Sequence, residues 1–169
     1  NKNINYKLLE PFFELVKAQC EDNEELMNFF LKYYSTSVQT PRDKIPISFI
    51  FHGSQGTGAS TMIMLLQPIF KDDNVIDSAN IDDFFGGHSE GFMSKCHVNM
   101  NEMSLQKSYK YTENIKSAIS EDRISVNPKC VRPFSINNFA KITFTTNNID
   151  GVPIDVKSGE RRFNVYKRS

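Results

Sequence analysis

The stretch of residues 53–60 constrains the fold of this chain most strongly, because it reads Gly-Ser-Gln-Gly-Thr-Gly-Ala-Ser and so places three glycines within six positions. A run rich in β-branched and aromatic residues precedes it at 45–52, which is typical of a buried strand. Apolar residues at helical spacing follow it from Ser60 onward. This strand, glycine-rich turn and helix, with strands and helices alternating after them, predict an α/β fold with a central parallel sheet.

The glycine pattern matches the phosphate-binding sequence G-x-x-x-x-G-K-[ST] except at one position, since Ala59 stands where lysine is expected. Glycines permit positive φ angles, and the N–H groups at the start of the following helix would cradle a phosphate. The Ser60 hydroxyl would hold Mg²⁺. A glycine-rich turn that matches by chance is the alternative. The expected nucleotide-binding residues are Gly53, Ser54, Gln55, Gly56, Thr57, Gly58, Ala59, Ser60 and Thr61.

Ala59 admits three interpretations that the sequence leaves open. It is an engineered substitution for lysine, a natural feature of a site that binds nucleotide without turnover, or a gap that a lysine from elsewhere fills through folding. A charged hydrogen bond to phosphate contributes about 1.5–3 kcal/mol to binding. One transition-state donor contributes roughly 10²–10³ in rate. We therefore expect the fold to tolerate Ala59 and nucleotide handling to be impaired.

Charge and cysteine content narrow the class of protein. Lys+Arg and Asp+Glu both number 20, so the bulk charge gives no nucleic-acid signature and any such contact must come from local clusters. The three cysteines are dispersed and predict neither a zinc site nor a disulfide framework. We find no signal peptide and no long apolar run, so we expect a soluble, intracellular protein with no membrane partner. The chain begins at Asn1, which suggests a piece of a longer protein.

Two units are expected along the chain: an N-terminal helical segment and linker at 1–44, and a core at 45–169. Pro11 suits the first turn of one helix, and Asn23 is expected to cap a second helix that carries an aromatic stripe. Packing is favoured over base stacking as the role of that stripe.

Two core segments, 77–94 and 112–121, are expected to serve as scaffold. A helix is predicted from Thr112 to Glu121, with its apolar residues on one face. Within 77–94, a helix that ends at a glycine is favoured over a metal site at the paired aspartates. The helix after the glycine loop is expected to turn four residues toward the core, namely Met62, Leu65, Leu66 and Ile69.

A strand with polar ends is expected at 95–102, where it closes on Asn101 and Glu102. In a nucleotide hydrolase, a polar side chain here holds a Mg²⁺-bound water and an adjacent carboxylate deprotonates the attacking water. Glu102 is the candidate general base. Asn101 is the candidate metal ligand, at a position where aspartate is usual. An Asn-Glu pair at a strand end is common, so the pair by itself is a weak signal.

Two more polar segments lie beside strand-like runs. The run at 140–148 ends in Asn147, which would sense a γ-phosphate and help to position water. Arg161 and Arg162 precede the last strand-like run and would supply an arginine finger to a neighbouring subunit. An ordinary strand end and a solvated arginine rim are the alternatives.

In this order, the segments resemble the superfamily 3 helicases, most closely the helicase part of phage, plasmid and viral primase-helicases. Residues 52–58 resemble that family's Walker A segment, and residues 100–102 resemble its Walker B segment. Residues 144–148 resemble motif C, and residues 161–163 resemble the arginine-finger segment. The resemblance covers nearly the whole chain, with Ala59 as the departure.

The resemblance implies a three-layer P-loop NTPase core of the AAA+ type that binds ATP and Mg²⁺. It also implies a homo-oligomer, a hexameric ring around single-stranded DNA, and a DNA-contacting hairpin between the Walker B segment and motif C. Two β-rich runs within 123–134 flank Asn127-Pro128-Lys129 and predict such a hairpin. Lys129 at its tip, and Arg132 next, are the expected contacts to the DNA backbone. An exposed lysine on a turn is the alternative.

The function expected from this resemblance is an ATP-dependent DNA helicase or translocase of replication, with activity impaired by Ala59. The alternative is a non-hydrolysing nucleotide-binding assembly module in which Ala59 is native. A P-loop kinase is a third class, which the motif C-like strand disfavours.

Overall fold

The computed structural model describes residues 5–54, 56–102, 109–149, 152 and 160–168. The main sheet is built from β1 (Ser48–Gly53), β2 (Val75–Ser78), β3 (His97–Asn101), β6 (Lys141–Thr146) and β7 (Phe163–Arg168). Within the described residues, these five strands are all parallel, in the order β2-β3-β6-β1-β7. A separate antiparallel pair joins β4 (Arg123–Val126) and β5 (Phe134–Asn137). The predicted α/β fold with a central parallel sheet is therefore confirmed.

The α-helices of the described part are α1 (Glu10–Gln19), α2 (Glu24–Gln39), α3 (Ala59–Phe70), α4 (Asp82–Phe85) and α5 (Thr112–Ser120). The predicted cap of α2 is confirmed, because the Asn23 side chain accepts hydrogen bonds from the N–H groups of Glu25 and Leu26 at 3.0 and 3.1 Å. The glycine stop is confirmed as well, since Gly86 follows α4 and donates to the Asp82 carbonyl at 2.8 Å. None of these helices is long and apolar enough to cross a lipid bilayer.

Strand β1 is buried on both faces of the sheet, which explains its apolar sequence. Phe49 and Phe51 point to one face and pack in a cluster with residues of α1, α2 and α3. Ile50 points to the other face and packs with residues of α4 and α5. The sheet is thus the middle layer of three, and the helices of 1–44 pack directly on the core.

Helix α3 lies on the sheet through a different stripe from the one predicted. Its buried residues are Met62, Ile63, Leu66 and Phe70. Leu65 and Ile69 are instead 47% and 54% exposed, so their assignment to the core was wrong. All of these positions are apolar, so the sequence pattern does not single out one stripe, and packing against β1 and α1 selects the rotation.

Two lysines are held inside the amino end of the sheet. The Lys44 ammonium donates to the carbonyls of Ala118 and Ala140 at 2.7 and 2.8 Å. The Lys141 ammonium donates to the Pro41 carbonyl at 2.7 Å. Burial, together with the nearby positive charge of Lys141, lowers the pKa of Lys44 to about 7. These contacts tie the segment before β1 to the start of β6.

Candidate functional site

A cavity of about 210 Å³ opens at the carboxyl ends of β1, β3 and β6, where the predicted polar segments meet. Strand β6 lies between β1 and β3, so the loops that follow these strands converge on one edge of the sheet. The described lining residues are Gly53, Ser54, Gly56, Thr57, Gly58, Ala59, Ser60, Thr61, Asn101, Glu102, Thr145, Thr146 and Asn147. Gln55, also expected to bind nucleotide, lies outside the described residues.

The glycine loop takes a conformation that its glycines make possible. Gly56 and Gly58 have φ angles of 88° and 87°, in the left-handed region that side chains disfavour. Gly58 is the N-cap of α3. It has no side chain to cap the helix, so the first N–H groups of α3 face the cavity edge without a side-chain acceptor from the cap position. Such groups, at the positive end of a helix dipole, favour an anion.

Ala59 is the first residue of α3 and lines the cavity. The described lining residues include no lysine, so folding does not bring a lysine into the cavity wall of this part of the chain. The described residues therefore give no support to the third interpretation, in which a lysine from elsewhere in the chain replaces the missing one.

The end of β3 presents Asn101 and Glu102 side by side. The Asn101 side-chain oxygen accepts a hydrogen bond from the Thr145 hydroxyl at 3.0 Å, which fixes the amide against β6. Glu102 is exposed and has a φ of 42°, while its N–H donates to the Thr145 carbonyl at 2.8 Å. A non-glycine residue held at positive φ stores backbone strain, and such strain is common at ligand sites.

A row of buried polar side chains runs beneath the cavity, and sequence reasoning missed it. The Asn99 amide donates to Asp77 at 3.0 Å and to the Thr145 hydroxyl at 3.1 Å. Its oxygen accepts from the Thr143 hydroxyl at 3.0 Å. His97, two residues before Asn99 on the same face, lies 3.2 Å from the Thr143 hydroxyl. The signal was present, because polar residues alternate along β3 and β6 where a fully buried parallel strand would be apolar.

Within this row, the surroundings shift the pKa of His97. It is fully buried, and its ring stacks on Phe70 and meets the edge of Tyr34. Burial first, and the positive charge of Lys141 second, lower the pKa of His97 to about 4. The imidazole is therefore neutral at physiological pH.

Asn147 follows β6 directly and lines the same cavity as Gly58, Ser60 and Glu102. The structure thus brings residues of the glycine loop, Glu102 and Asn147 together at one cavity. Thr145 and Thr146 also line the cavity and were not anticipated as site residues. The roles of all of these side chains toward a ligand stay predictions.

The two arginines predicted as a finger lie elsewhere. Arg161 and Arg162 precede β7, at the amino end of the sheet and away from the cavity. The Arg162 guanidinium pairs with Glu160 at 2.9 Å, and Arg161 is exposed. Any action of either arginine on a phosphate would have to be on a neighbouring molecule, which stays a prediction.

The predicted hairpin is present as β4 and β5, but its connection is longer than expected and spans 127–133. Lys129 and Arg132 are exposed on this connection. The Lys129 N–H donates to Glu90 at 3.1 Å, and the Asn127 amide donates to the Gly87 carbonyl. The connection is therefore fastened to the segment after α4, and both basic side chains lie outside the cavity.

The donor set fits Mg²⁺ only weakly. Ser60, Asn101 and Glu102 would offer a hydroxyl, an amide oxygen and one carboxylate, and Asn101 already accepts from Thr145. Magnesium in proteins favours carboxylates together with the phosphates of a bound nucleotide. Among the described residues, no cluster of three or more His, Cys, Asp or Glu side chains could hold a metal. Mg²⁺ at this site would therefore depend on a bound phosphate.

Comparison with known proteins finds one family and one phage protein that resemble the chain. The model of a family described as "Family of unknown function (DUF5906)" matches residues 51–162. A DNA primase-polymerase of Nitratiruptor phage NrS-1 is 30% identical over 147 residues, which are 83% of this chain and 20% of the phage protein. The chain therefore spans about a fifth of the length of this relative.

The solved structures with the same fold include the C-terminal region of NrS-1 in its apo state. One has a TM-score of 0.78 at 23% identity, with 92% of this chain and 37% of the solved chain covered. Another has a TM-score of 0.77 at 22% identity, with 91% and 36% covered. At these identities the structural likeness establishes the fold.

These findings overturn the function expected from the superfamily 3 resemblance. The related protein is a DNA primase-polymerase, so the expectation of an ATP-dependent DNA helicase or translocase was wrong. What remains of the resemblance is similarity to a DNA primase-polymerase of a phage. The error arose because strand-end polar residues and a glycine loop report a ligand site, while the process that the site serves is not encoded in them.

Proposed function

The chain belongs to the family of unknown function DUF5906, and we propose that it is a nucleotide-binding domain within a DNA replication protein of the primase-polymerase kind. The observation that carries the proposal is the convergence of the glycine loop, Asn101, Glu102 and Asn147 on one cavity. Ligands of open α/β sheets bind in the crevice outside the carboxyl ends of the strands. The cavity lies at these ends.

A phosphate is the part of the ligand that the loop fits best. The loop joins β1 to α3, its two positive-φ glycines leave the backbone open, and the N–H groups of the first turn of α3 lie at its end. On this basis we assign the loop as a P-loop that lacks its lysine. ATP with Mg²⁺ is the first ligand to test, because its phosphates suit the N–H groups at the start of α3.

Binding, rather than nucleotide transfer, is the chemistry that we propose for this cavity. Nucleotide transfer by two metals needs acidic side chains that hold both ions about 4 Å apart. Among the described lining residues, Glu102 alone carries a carboxylate. We propose that Ser60 and Asn101 hold a Mg²⁺ ion carried by the nucleotide, and that Glu102 and Asn147 contact the water around its terminal phosphate. The polymerase activity of the parent protein would then reside outside this chain.

DNA contact is proposed for the exposed connection of the hairpin, where Lys129 and Arg132 lie. Lysine and arginine contacts to the DNA backbone weaken with salt, because binding releases counterions. Titration of a fluorescent single-stranded oligonucleotide at two salt concentrations tests this. The proposal predicts that Lys129→Gln binds the oligonucleotide more weakly and with a smaller dependence on salt. Equal affinity and equal salt dependence of the variant and the unmodified chain would show that Lys129 does not contact the DNA.

Calorimetric titration with ATP, ADP and AMP tests the proposed function, on this chain and on Ala59→Lys side by side. We expect affinity to fall as phosphates are removed, because the loop holds phosphate rather than base. The restored ammonium should strengthen ATP binding by about 10- to 100-fold, equivalent to about 1.5–3 kcal/mol.

Met64→Lys is the matched control for this titration. It adds the same charge to α3 at a residue that is 61% exposed and does not line the cavity. Equal gains from Ala59→Lys and Met64→Lys would mean that general charge, not the cavity, attracts the nucleotide. Absence of ATP binding by both this chain and Ala59→Lys would refute the proposed function.

A further inference from the structure

The carbonyl of Thr57, in the middle of the glycine loop, is held from outside the loop by two distant side chains. Gln19 at the end of α1 donates its amide N–H to this oxygen at 2.5 Å. Arg168 at the end of β7 donates a guanidinium N–H to the same oxygen, also at 2.5 Å. We call Gln19 and Arg168 together the loop clamp.

The fold brings both members of the loop clamp to this position. Strand β7 pairs in parallel with β1, and the register sets Arg168 beside Gly53, where the loop begins. Helix α1 packs against the other side of the loop, since a Cβ added to Gly58 would lie 2.8 Å from Leu15 Cδ1 and 3.6 Å from the Gln19 amide nitrogen. The Gln19 side chain is almost fully buried there, at 3% exposure.

The clamp fixes the direction of one peptide group that matters for anion binding. The Thr57 carbonyl and the Gly58 N–H belong to the same trans peptide, so they point in opposite directions. A carbonyl held toward the clamp therefore turns the Gly58 N–H away from it. Gly58 has no Cβ and so restricts the rotation of this peptide on one side only weakly.

Arg168 also places a positive charge next to a loop that has none of its own. A guanidinium is always protonated in proteins, and this one is directly bonded to the loop backbone. Ala59 leaves the position of the usual ammonium without a cation. Arg168 is not among the residues that line the cavity, so it acts through Thr57 and as a nearby charge rather than by contact with the ligand.

We propose that the loop clamp positions the phosphate loop, and that Arg168 supplies the positive charge that Ala59 withholds from a bound nucleotide phosphate. This inference rests on the proposed function and names the residues that sustain binding in the absence of the lysine. Arg168 and Gln19 are positioning residues. Both donate a hydrogen bond to the Thr57 carbonyl, and Arg168 alone adds a positive charge.

Three variants separate charge from hydrogen bonding when ATP and tripolyphosphate are titrated over a range of salt. Arg168→Gln keeps an N–H donor and removes the charge, so we expect about a tenfold loss of affinity and a shallower salt dependence. Gln19→Leu removes a donor and keeps the charge, so we expect a smaller loss with the salt dependence unchanged. Arg168→Lys keeps the charge, and we expect it to restore most of the affinity.

Lys167→Gln is the control, because Lys167 is exposed and precedes Arg168 on the same strand. It should leave affinity unchanged, and thermal unfolding of every variant shows whether the fold is retained. In an Ala59→Lys background, Arg168→Gln should cost less than in the parent, since the lysine then provides the charge. This comparison keeps the proposal testable even where Arg168→Gln lowers stability.

Each outcome bears on one claim. Equal affinity and equal salt dependence of the parent and Arg168→Gln would overturn the inference and leave the proposed function intact. Binding that appears only after Ala59→Lys would also overturn the inference, because Arg168 would then not compensate for the missing lysine. Absence of binding before and after that change would overturn the proposed function itself.

Discussion

The two ends of the central sheet treat polar groups in opposite ways. At the amino end, the ammonium of Lys44 is enclosed and bonded to two backbone carbonyls, and that of Lys141 is bonded to a third. At the carboxyl end, the polar residues of the loops after β1, β3 and β6 surround an open cavity. The polar groups of the amino end are hydrogen-bonded within the protein, whereas those of the carboxyl end face an open cavity.

This difference indicates that the amino end of the sheet contributes to stability and that the carboxyl end is free to bind a ligand. A buried polar group costs free energy unless it is hydrogen-bonded, so the lysines of the amino end are held by groups that already belong to the protein. Backbone N–H groups and side chains at the carboxyl end can instead be satisfied by water or by a ligand. We therefore expect substitutions at the amino end to act on stability, and substitutions at the carboxyl end to act on binding as well.

The largest expected effect is at the amino end, for Lys44→Ala. This change removes the ammonium that donates to the carbonyls of Ala118 and Ala140, and it removes a packed side-chain stem. The Ala118 carbonyl keeps a second donor, the Asn138 amide at 2.8 Å, whereas the bond from Lys44 to Ala140 is lost outright. We expect the free energy of unfolding to fall by about 4 kcal/mol. Urea denaturation measures it. Lys32→Ala, at an exposed position of α2, should change stability by less than about 0.5 kcal/mol. Equal effects of the two changes would mean that the buried contacts of Lys44 contribute nothing.

An intermediate effect is expected at His97, the first residue of β3. Its folded-state pKa of about 4 lies below its ordinary value, so the unfolded chain binds more protons in the window from about pH 4 to 6.5. Its contribution to stability is complete above that window and is lost as the pH falls through it. The loss from this residue alone is about 3 kcal/mol.

Urea denaturation at several pH values between 4 and 7 measures this dependence. His97→Gln should flatten it, while His88→Gln, at an exposed loop position, should leave it unchanged. An identical pH dependence in the parent and His97→Gln would show that the buried imidazole does not couple folding to pH.

The smallest of these effects is expected at the carboxyl end, from adding a methyl group to one of two loop glycines. Gly56 and Gly58 share the same positive φ, so alanine strains both by about 1 kcal/mol. An added Cβ meets nothing within 4 Å at Gly56 but lies 2.8 Å from Leu15 Cδ1 at Gly58. We expect Gly58→Ala to cost about 2 kcal/mol in total, roughly twice the cost at Gly56.

Thermal unfolding of the two alanine variants measures this difference. Equal costs would mean that Leu15 moves aside freely and that α1 does not constrain the loop. Because Leu15 and Gln19 lie on the same helix, such a result would also argue against a positioning role for the loop clamp.

Much of the fold was predictable because its signals are local. The β1 strand, the cap at Asn23 and the buried face of α5 follow from residue types over a few positions, and each was confirmed. The buried stripe of α3 was not predictable, since Leu65 and Ile69 are as apolar as the residues that face the sheet. The helicase function was mistaken for a different reason: a ligand site at a sheet edge is compatible with many processes.

By itself, the sequence determined that a glycine loop follows a strand and opens a helix, and that the polar residues Asn101 and Asn147 lie where two strands end. Those features are set by local backbone preference and by alternation along a strand. Only the tertiary structure decided which distant side chains reach the loop, because Gln19 and Arg168 are separated from Thr57 by 38 and 111 residues. Strand order and register, which depend on packing over the whole sheet, place that cation beside the loop that lacks one.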